Sequence, residues 1–331
     1  MKKRKLLFIF TGGTIGSTAS EEYICVDEKK PYQLLEKYRA EYGIDFAYDT
    51  LNPYTILSEN NNGSWMSALA SCLRENLDRG YDGIIVTHGT DTLPYSAALL
   101  SCLGGMVKLP VCLVSSAYPL EDERQNAIDN LYAAIKVIEA GYKGVFVPYR
   151  NQDGITYIHH GWKLLASSAF SPDFFSIKGQ YFARMEEGRL KIRREGDFKE
   201  DQIHPLLKAA EEKLQKEKGM LLPESCRQIL WIHPYPGLPY PEIPKETRAI
   251  LHESYHSGTV NTADLAAKAF FEEAYERKIP VYLAGVSEGI SYESTRLFEE
   301  LHLIPLYDLA PIAAYVSLWL LTQSGFKLRL S

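Results

Sequence analysis

The sequence predicts an α/β protein with two domains: a larger N-terminal domain with a mainly parallel sheet and flanking helices, and a smaller C-terminal α/β domain. Short apolar runs alternate with helical patterns, which is the order of a parallel sheet with crossover helices. Several runs are apolar at every position, as in strands covered by helices on both faces. The length of 331 residues suits two ordinary domains.

The predicted strands follow one another along the chain. The first, Lys5–Phe10, comes after a basic start but is shorter than the roughly 7–15 apolar residues of a signal-peptide core, so we interpret it as a buried strand. The others are Gly83–Thr87, Val111–Ser115, Gly144–Pro148, Gln228–Ile232, Arg248–Glu253 and Pro280–Ala284. Sheets of this class bind ligands at the carboxyl ends of their strands.

Helices are predicted where apolar side chains recur at helical spacing. Their apolar positions are Trp65, Leu69, Cys72, Leu73 and Leu77 in the first helix, Ile128, Leu131, Ile135 and Ile138 in the second, and Leu265, Ala269, Phe270 and Ala274 in the third. Gly80 and Gly141 are placed to end the first two. Pro311–Gln323 is interpreted as a final helix with an apolar body.

A charged stretch from about Arg184 to Leu222 interrupts the alternation. It begins with the hairpin-like piece Met185–Leu190 and continues with many Lys and Glu residues, so we expect it to be irregular. We therefore place the N-terminal domain at 1–190, a linker at 191–222 and the C-terminal domain at 223–331.

The composition disfavours several functional classes. The formal net charge is −6, and a nucleic-acid partner would require a basic patch. No run reaches the roughly 18 apolar residues of a membrane helix, so we expect no membrane partner and a cytoplasmic protein. The five cysteines form no CxxC pair, which indicates neither a disulfide framework nor a structural zinc site.

Two short motifs follow predicted strands. Thr11-Gly-Gly-Thr-Ile-Gly16 follows the first; it is either a tight turn or a loop that brings backbone N–H groups to a ligand, and it lacks the spacing of a phosphate-binding loop. Thr87-His-Gly-Thr-Asp-Thr92 follows the second; it is either a helix N-cap or a site where a hydroxyl and a carboxylate act together. Both motifs present threonines to the same edge of the predicted sheet.

Together, Thr11–Ser17 and His88–Thr92 resemble the two signature motifs of the bacterial-type L-asparaginase/glutaminase-asparaginase family. The segment Ser116–Arg124 is also similar to the family's segment after the third strand. The resemblance is good over residues 4–150 and patchy beyond, as in a divergent member.

The resemblance implies roles for several residues. Thr14 matches the nucleophile and Tyr23 the tyrosine that helps to activate it. Ser58 matches the serine that holds the substrate's α-carboxylate, and Glu59 lies beside it where the family often has Gln, Ser or Thr. Thr90 matches the threonine that positions water, and Asp91 the aspartate that binds the α-ammonium. These roles imply an amino-acid amide as substrate, with no metal and no cofactor.

The family's lysine near the second threonine has no direct match. Aligning Gly161 without gaps puts Ala166 at that position, and Lys163 lies three residues earlier, with His159 and His160 close by in sequence. We expect Lys163 to be either the missing cation or a solvated lysine.

The C-terminal part departs further from the family. Thr259 occupies the asparagine position of the loop that, in the family, reaches a neighbouring subunit. Glu288 and Glu293 are candidates for a carboxylate across such an interface, or they are surface charges. The resemblance implies a homodimer or homotetramer.

Three functions therefore stay open. The first is hydrolysis of the L-asparagine side-chain amide, with glutamine as a second substrate. The second is a related threonine enzyme acting on another amide, including an amidotransferase substrate. The third is an amino-acid-binding protein that has lost turnover, which the missing lysine favours and the retained Thr14, Tyr23, Thr90 and Asp91 disfavour.

Overall fold

The computed structural model describes residues 3–13, 17–19, 24–26, 30–193, 203–217, 222–289 and 292–323. Its strands are β1 (Lys5–Phe10), β2 (Ser17–Ala19), β3 (Ile24–Val26), β4 (Ala47–Leu51), β5 (Gly83–Thr87), β6 (Pro110–Val114), β7 (Gly144–Arg150), β8 (Thr156–His160), β9 (Ala183–Glu186), β10 (Arg189–Ile192), β11 (Ile229–Ile232), β12 (Ala249–Glu253), β13 (Val281–Ala284) and β14 (Leu303–Pro305). Its helices are α1 (Lys30–Tyr42), α2 (Gly63–Asn76), α3 (Leu93–Ser101), α4 (Ala127–Ala140), α5 (Pro205–Lys216), α6 (Leu265–Glu276) and α7 (Pro311–Thr322).

The large sheet has eight strands in the order β10-β9-β8-β7-β6-β5-β1-β4. The five strands from β7 to β4 are parallel, and β8, β9 and β10 extend the sheet as antiparallel hairpins. β5 and β6 are buried along their whole length, and β1 from its second residue onward. One face packs against α1 and α4 and the other against α2, α3, α5 and α7, which confirms the sandwiched sheet.

A second, smaller sheet contains β11, β12, β13 and β14, all parallel and in sequence order. Helix α6 covers one of its faces. Helix α7 packs against α3 and α5 of the first unit and against β11 and β12 of the second. The predicted class, a larger and a smaller α/β unit, is confirmed.

The predicted bounds shift in a few places. The strand predicted at Val111–Ser115 starts at Pro110 and ends at Val114, and the strand predicted at Gly144–Pro148 continues to Arg150. The apolar face predicted for α6 is partly wrong, because Leu265 is 79% exposed and Ala269 is also exposed. Its buried residues are Ala267, Phe270, Phe271 and Ala274, a set at i, i+3, i+4 and i+7.

The stretch expected to be irregular contains helix α5. It begins after His204, whose Nδ1 accepts from the Leu206 N–H at 3.1 Å, and it buries Leu206, Leu207, Ala210 and Leu214. The Lys213 ammonium donates to the Leu320 carbonyl at 2.7 Å, which ties α5 to the end of α7. The division into domains 1–190 and 223–331 with a linker between them stays a prediction.

Candidate active site

The two sequence motifs lie at the switch point of the large sheet. After β1 the chain crosses to β4 on one side, and after β4 it returns to β5 on the other side of β1. Loops that leave neighbouring parallel strands in opposite directions open a crevice at their carboxyl ends, and this is where ligands bind in such sheets. Thr11 and His88 are the first residues beyond the two strands.

The turns after β1 and β5 touch backbone to backbone. Thr11 Oγ1 donates to the Thr87 carbonyl at 2.7 Å, and the Gly13 N–H donates to the Ile56 carbonyl at 3.0 Å. Gly13 has φ +79°, and a Cβ there would lie 2.2 Å from the Gly89 nitrogen. Only glycine permits both the left-handed backbone and this close approach.

Ser58 lies at the same contact between the turns after β1 and β5, and together with Gly13 and Gly89 it forms a small cluster. It is 5% exposed and begins a short 3-10 turn ahead of α2. A Cβ at Gly89 would lie 2.5 Å from Ser58 Oγ and 3.1 Å from Gly13 Cα, so the three segments meet at one point.

The Asp91 carboxylate is held at the rim of this cluster. Ser58 Oγ donates to Asp91 Oδ2 at 2.7 Å, and the Asp91 N–H donates to Ser58 Oγ at 3.3 Å. Asp91 is exposed, whereas Thr90 is half-buried between it and Gly89. A carboxylate fixed at an open rim beside hydroxyl groups is suited to binding the ammonium of an amino acid.

Comparison with known proteins decides the family. The model of the asparaginase N-terminal domain matches residues 5–197. The chain belongs to the asparaginase family.

Two curated relatives of this asparaginase-family chain carry different names. A glutamyl-tRNA(Gln) amidotransferase subunit of Methanobrevibacter smithii is 29% identical over 340 residues, which cover 98% of this chain and 73% of the relative. L-asparaginase of Thermococcus kodakarensis is 30% identical over 181 residues, covering 53% of this chain and 54% of the relative.

Two solved structures share the fold. The thermostable L-asparaginase of Thermococcus kodakarensis superposes with a TM-score of 0.72 at 23% identity, covering 97% of this chain and 93% of that one. L-asparaginase I of Vibrio cholerae superposes with a TM-score of 0.73 at 20% identity, covering 98% and 95%.

Lys163 lies in a 3-10 turn after β8 and is 7% exposed. Its ammonium donates to Gln180 Oε1 at 3.1 Å and lies 4.8 Å from the Trp162 ring centre. Burial lowers the pKa of Lys163 to about 8, and nearby Arg193 contributes to the same shift. The alternative of a solvated lysine is therefore wrong.

The segment that follows Lys163 reaches the site through a different residue. Ser167 Oγ donates to the Asp91 carbonyl at 3.3 Å. Sequence reasoning missed Ser167, although its neighbour Ala166 is the residue that aligns with the family's lysine. Its place next to Ala166 in the motif is the sequence signal that points to it.

The remaining expected residues fall in several places. Glu59 is exposed in the turn that Ser58 begins. Burial lowers the pKa of His159 to about 3 and that of His160 to about 4, so both rings are neutral at pH 7. Thr14 and Tyr23 lie outside the described residues.

In the smaller unit, Thr259 Oγ1 lies 2.8 Å from Ser257 Oγ within its own loop, and Glu288 and Glu293 are exposed. Among the described residues, no group of three or more His, Cys, Asp or Glu side chains is arranged to hold a metal ion. The described part of the chain contains no helix long and apolar enough to cross a membrane.

A polar cleft of about 400 Å³ lies beyond β6 and β7 on the same edge of the sheet. Tyr118, Arg124, Arg150 and Asp173 are among its lining residues. The segment that places Ser167 on Asp91 continues to Asp173, so one loop borders both the cleft and the candidate site.

Proposed function

We propose that this asparaginase-family chain hydrolyses the side-chain amide of L-asparagine to L-aspartate and ammonia, with Thr14 as nucleophile. The observation that supports this most directly is the backbone contact between Gly13 and Gly89, with the Ser58–Asp91 pair beside it. Thr14 follows Gly13 and Thr90 follows Gly89 in the sequence, so each hydroxyl-bearing residue comes directly after one of the two glycines in contact.

In the proposed reaction, Thr14 Oγ1 attacks the amide carbon and Tyr23 helps to remove its proton, because a neutral hydroxyl is a weak nucleophile. Backbone N–H groups of the glycine turns stabilise the oxyanion that forms. The protonated nitrogen leaves as ammonia and an acyl-threonine remains. A water positioned by Thr90 then hydrolyses this ester, and Thr14 regains its proton.

The substrate's amino-acid end is assigned to Ser58, Glu59 and Asp91. The Asp91 carboxylate binds the α-ammonium. The α-carboxylate is assigned to the turn that Ser58 begins, since the one proton of the Ser58 hydroxyl goes to Asp91 Oδ2. The exposed Glu59 carboxylate is suited to the ammonium side rather than to a second carboxylate. Lys163 remains the candidate for the cation expected near Thr90. Its pKa of about 8 leaves most of the side chain charged near pH 7, and the segment that follows it leads to Ser167.

A second candidate is release of ammonia from glutamine or another amide. It is favoured by the curated relatives that match nearly the whole chain, since several are named as subunits of glutamyl-tRNA(Gln) amidotransferase. That name describes transfer of an amide nitrogen to an acceptor rather than its loss to water. A homodimer or homotetramer remains part of the proposal for either substrate.

Ammonia release from L-asparagine, L-glutamine and their D-forms tests the proposal. We expect release from L-asparagine by the parent protein, and a loss of about a thousandfold or more in kcat for Thr14→Ala, because the nucleophile is gone. Thr50→Ala, which changes a half-buried threonine on the edge strand β4, is the matched control and should keep parental activity. Equal activity in parent and Thr14→Ala would remove Thr14 from the mechanism.

A further inference from the structure

A chain of hydrogen bonds, linked at Ser58 through that residue's own covalent bonds, joins His88 to the Asp91 carboxylate. It leaves the end of β5, crosses to α3, continues to the turn at residues 58–61 and returns to Asp91. Its bonded atoms are His88 Nε2 and Ser96 Oγ at 2.8 Å, Asn61 Nδ2 and Ser96 Oγ at 3.3 Å, Asn61 Nδ2 and Thr92 Oγ1 at 3.1 Å, Thr92 Oγ1 and the Ser58 carbonyl at 2.9 Å, and Ser58 Oγ and Asp91 Oδ2 at 2.7 Å.

The direction of the chain is set at His88. The side chain is 3% exposed, and burial holds its pKa below the ordinary value, so the ring is neutral at pH 7. Nδ1 lies 2.8 Å from the Gly89 carbonyl, which only accepts, so Nδ1 carries the proton. Nε2 must then accept, and Ser96 must donate to it.

The later bonds are consistent with this direction, and those to the Ser58 carbonyl and the Asp91 carboxylate are also fixed by oxygens that only accept. Ser96 has used its single proton, so its oxygen accepts from the Asn61 amide. The second amide proton of Asn61 goes to Thr92, whose own proton is thereby free for the Ser58 carbonyl. The Ser58 hydroxyl donates to Asp91 Oδ2 while its oxygen accepts from the Asp91 N–H.

We propose that His88 is a positioning residue for Asp91, acting through Ser96, Asn61, Thr92 and Ser58. The inference rests on the proposed function, in which Asp91 binds the substrate's α-ammonium. The chain ties the Ser58 turn to α3 and thereby holds Oδ2, leaving the other carboxylate oxygen to meet the ligand. His88 touches no substrate in this arrangement, so its effect is on substrate affinity rather than on the chemical step.

Two substitutions at His88 separate positioning from packing. In His88→Asn the amide reaches the place of Nδ1 and donates to the Gly89 carbonyl, but it offers no acceptor to Ser96. In His88→Gln the amide oxygen reaches the place of Nε2 and accepts from Ser96. We expect His88→Asn to raise KM for the amide substrate about tenfold with kcat within about threefold, because affinity and not chemistry is affected. We expect His88→Gln to stay within about threefold of the parent in both.

A second pair of substitutions, at Thr92, tests the part of the chain nearer to Asp91. It can still be measured if the His88 variants do not fold. Thr92→Val keeps the shape and removes the hydroxyl, whereas Thr92→Ser keeps the hydroxyl. We expect the same rise in KM for Thr92→Val and near-parental values for Thr92→Ser. The proposal is overturned if KM is unchanged in both His88→Asn and Thr92→Val. It is also overturned if KM rises as much in Thr92→Ser and His88→Gln as in those two variants.

The outcome is separable from that of the proposed function. A parent protein that releases no ammonia contradicts the proposed function, and the His88 inference is then decided by a crystal structure of His88→Asn. There we expect Ser58 Oγ and Asp91 Oδ2 to move beyond hydrogen-bonding distance. Retention of their 2.7 Å contact overturns the inference.

Discussion

At the residue scale, the proposed binding of an amino acid depends on the Asp91 carboxylate. Ser58 occupies one of its oxygens at 2.7 Å, and the side chain is exposed at the rim where the turns after β1 and β5 meet. A charge held in this way binds an ammonium at little cost in reorganisation, since the carboxylate is already positioned.

Asp91→Asn should weaken binding of L-aspartate by roughly ten- to a hundredfold, because a hydrogen bond to a charged group contributes about 1.5–3 kcal/mol. Titration calorimetry with L-aspartate measures this directly. Asp49→Asn, which removes the ionic partner of Lys5 on the edge strand β4, is the control and should bind as the parent does. Unchanged affinity in Asp91→Asn would mean that the ligand's ammonium is bound elsewhere.

Residues that directly follow an apolar strand are the ones that sequence reasoning could bring together. Gly89 follows β5, and parallel strands end at one edge, so its close approach to Gly13 is predictable. The contact of Ser167 with Asp91 is not, because the segment after β8 reaches the site by a loop whose path depends on tertiary packing. Lys163 was singled out by charge, yet its position is set by Gln180 and Trp162.

At the element scale, the turns that follow β1 and β5 stabilise each other through the contact between Gly13 and Gly89. Gly13→Ala should lower the free energy of unfolding by about 3 kcal/mol or more, because a side chain there combines left-handed strain with overlap against the Gly89 backbone.

Gly80→Ala is the matched control for that change. Gly80 has φ +77°, close to the +79° of Gly13, but a Cβ there meets nothing within 4 Å. We expect a loss of about 1 kcal/mol from backbone strain alone. Urea denaturation measures both variants, and equal losses would show that the contact between the two turns contributes nothing.

The elements that sequence reasoning found are those with a continuous apolar signal. β1 and β5 were placed at their observed bounds because they are buried on both faces. β4 went unrecognised because it is an edge strand whose residues alternate between exposed and half-buried, so no apolar run marks it. The sequence does not predict α5 because its apolar face is narrow and its other positions are mostly Lys and Glu, which favours an irregular segment.

At the scale of the whole molecule, the two sheets share a core. One hydrophobic cluster includes Leu7 of β1, Leu251 of β12 and Leu318 of α7, all fully buried. Because α7 packs on both units, neither unit buries its residues of this shared cluster without the other.

We therefore expect one cooperative unfolding transition, with hydrogen exchange in β5 and β13 losing protection at the same denaturant concentration. Leu318→Ala should shift both segments together by about 2–5 kcal/mol, the usual cost of a buried cavity. Leu265→Ala, at a side chain that is 79% exposed, should shift neither by more than about 0.5 kcal/mol. Loss of protection in β13 well before β5 would show that the smaller unit is independent.

A crystal structure with L-aspartate bound would show whether the ends of β1 and β5 form one amino-acid site. We predict that the α-ammonium lies within about 2.7–3.2 Å of the Asp91 carboxylate and that Thr14 Oγ1 lies about 3–3.5 Å from the side-chain carboxyl carbon. L-aspartate bound only in the polar cleft by Arg124 and Arg150, or with its side-chain carboxyl turned away from Thr14, would contradict the account.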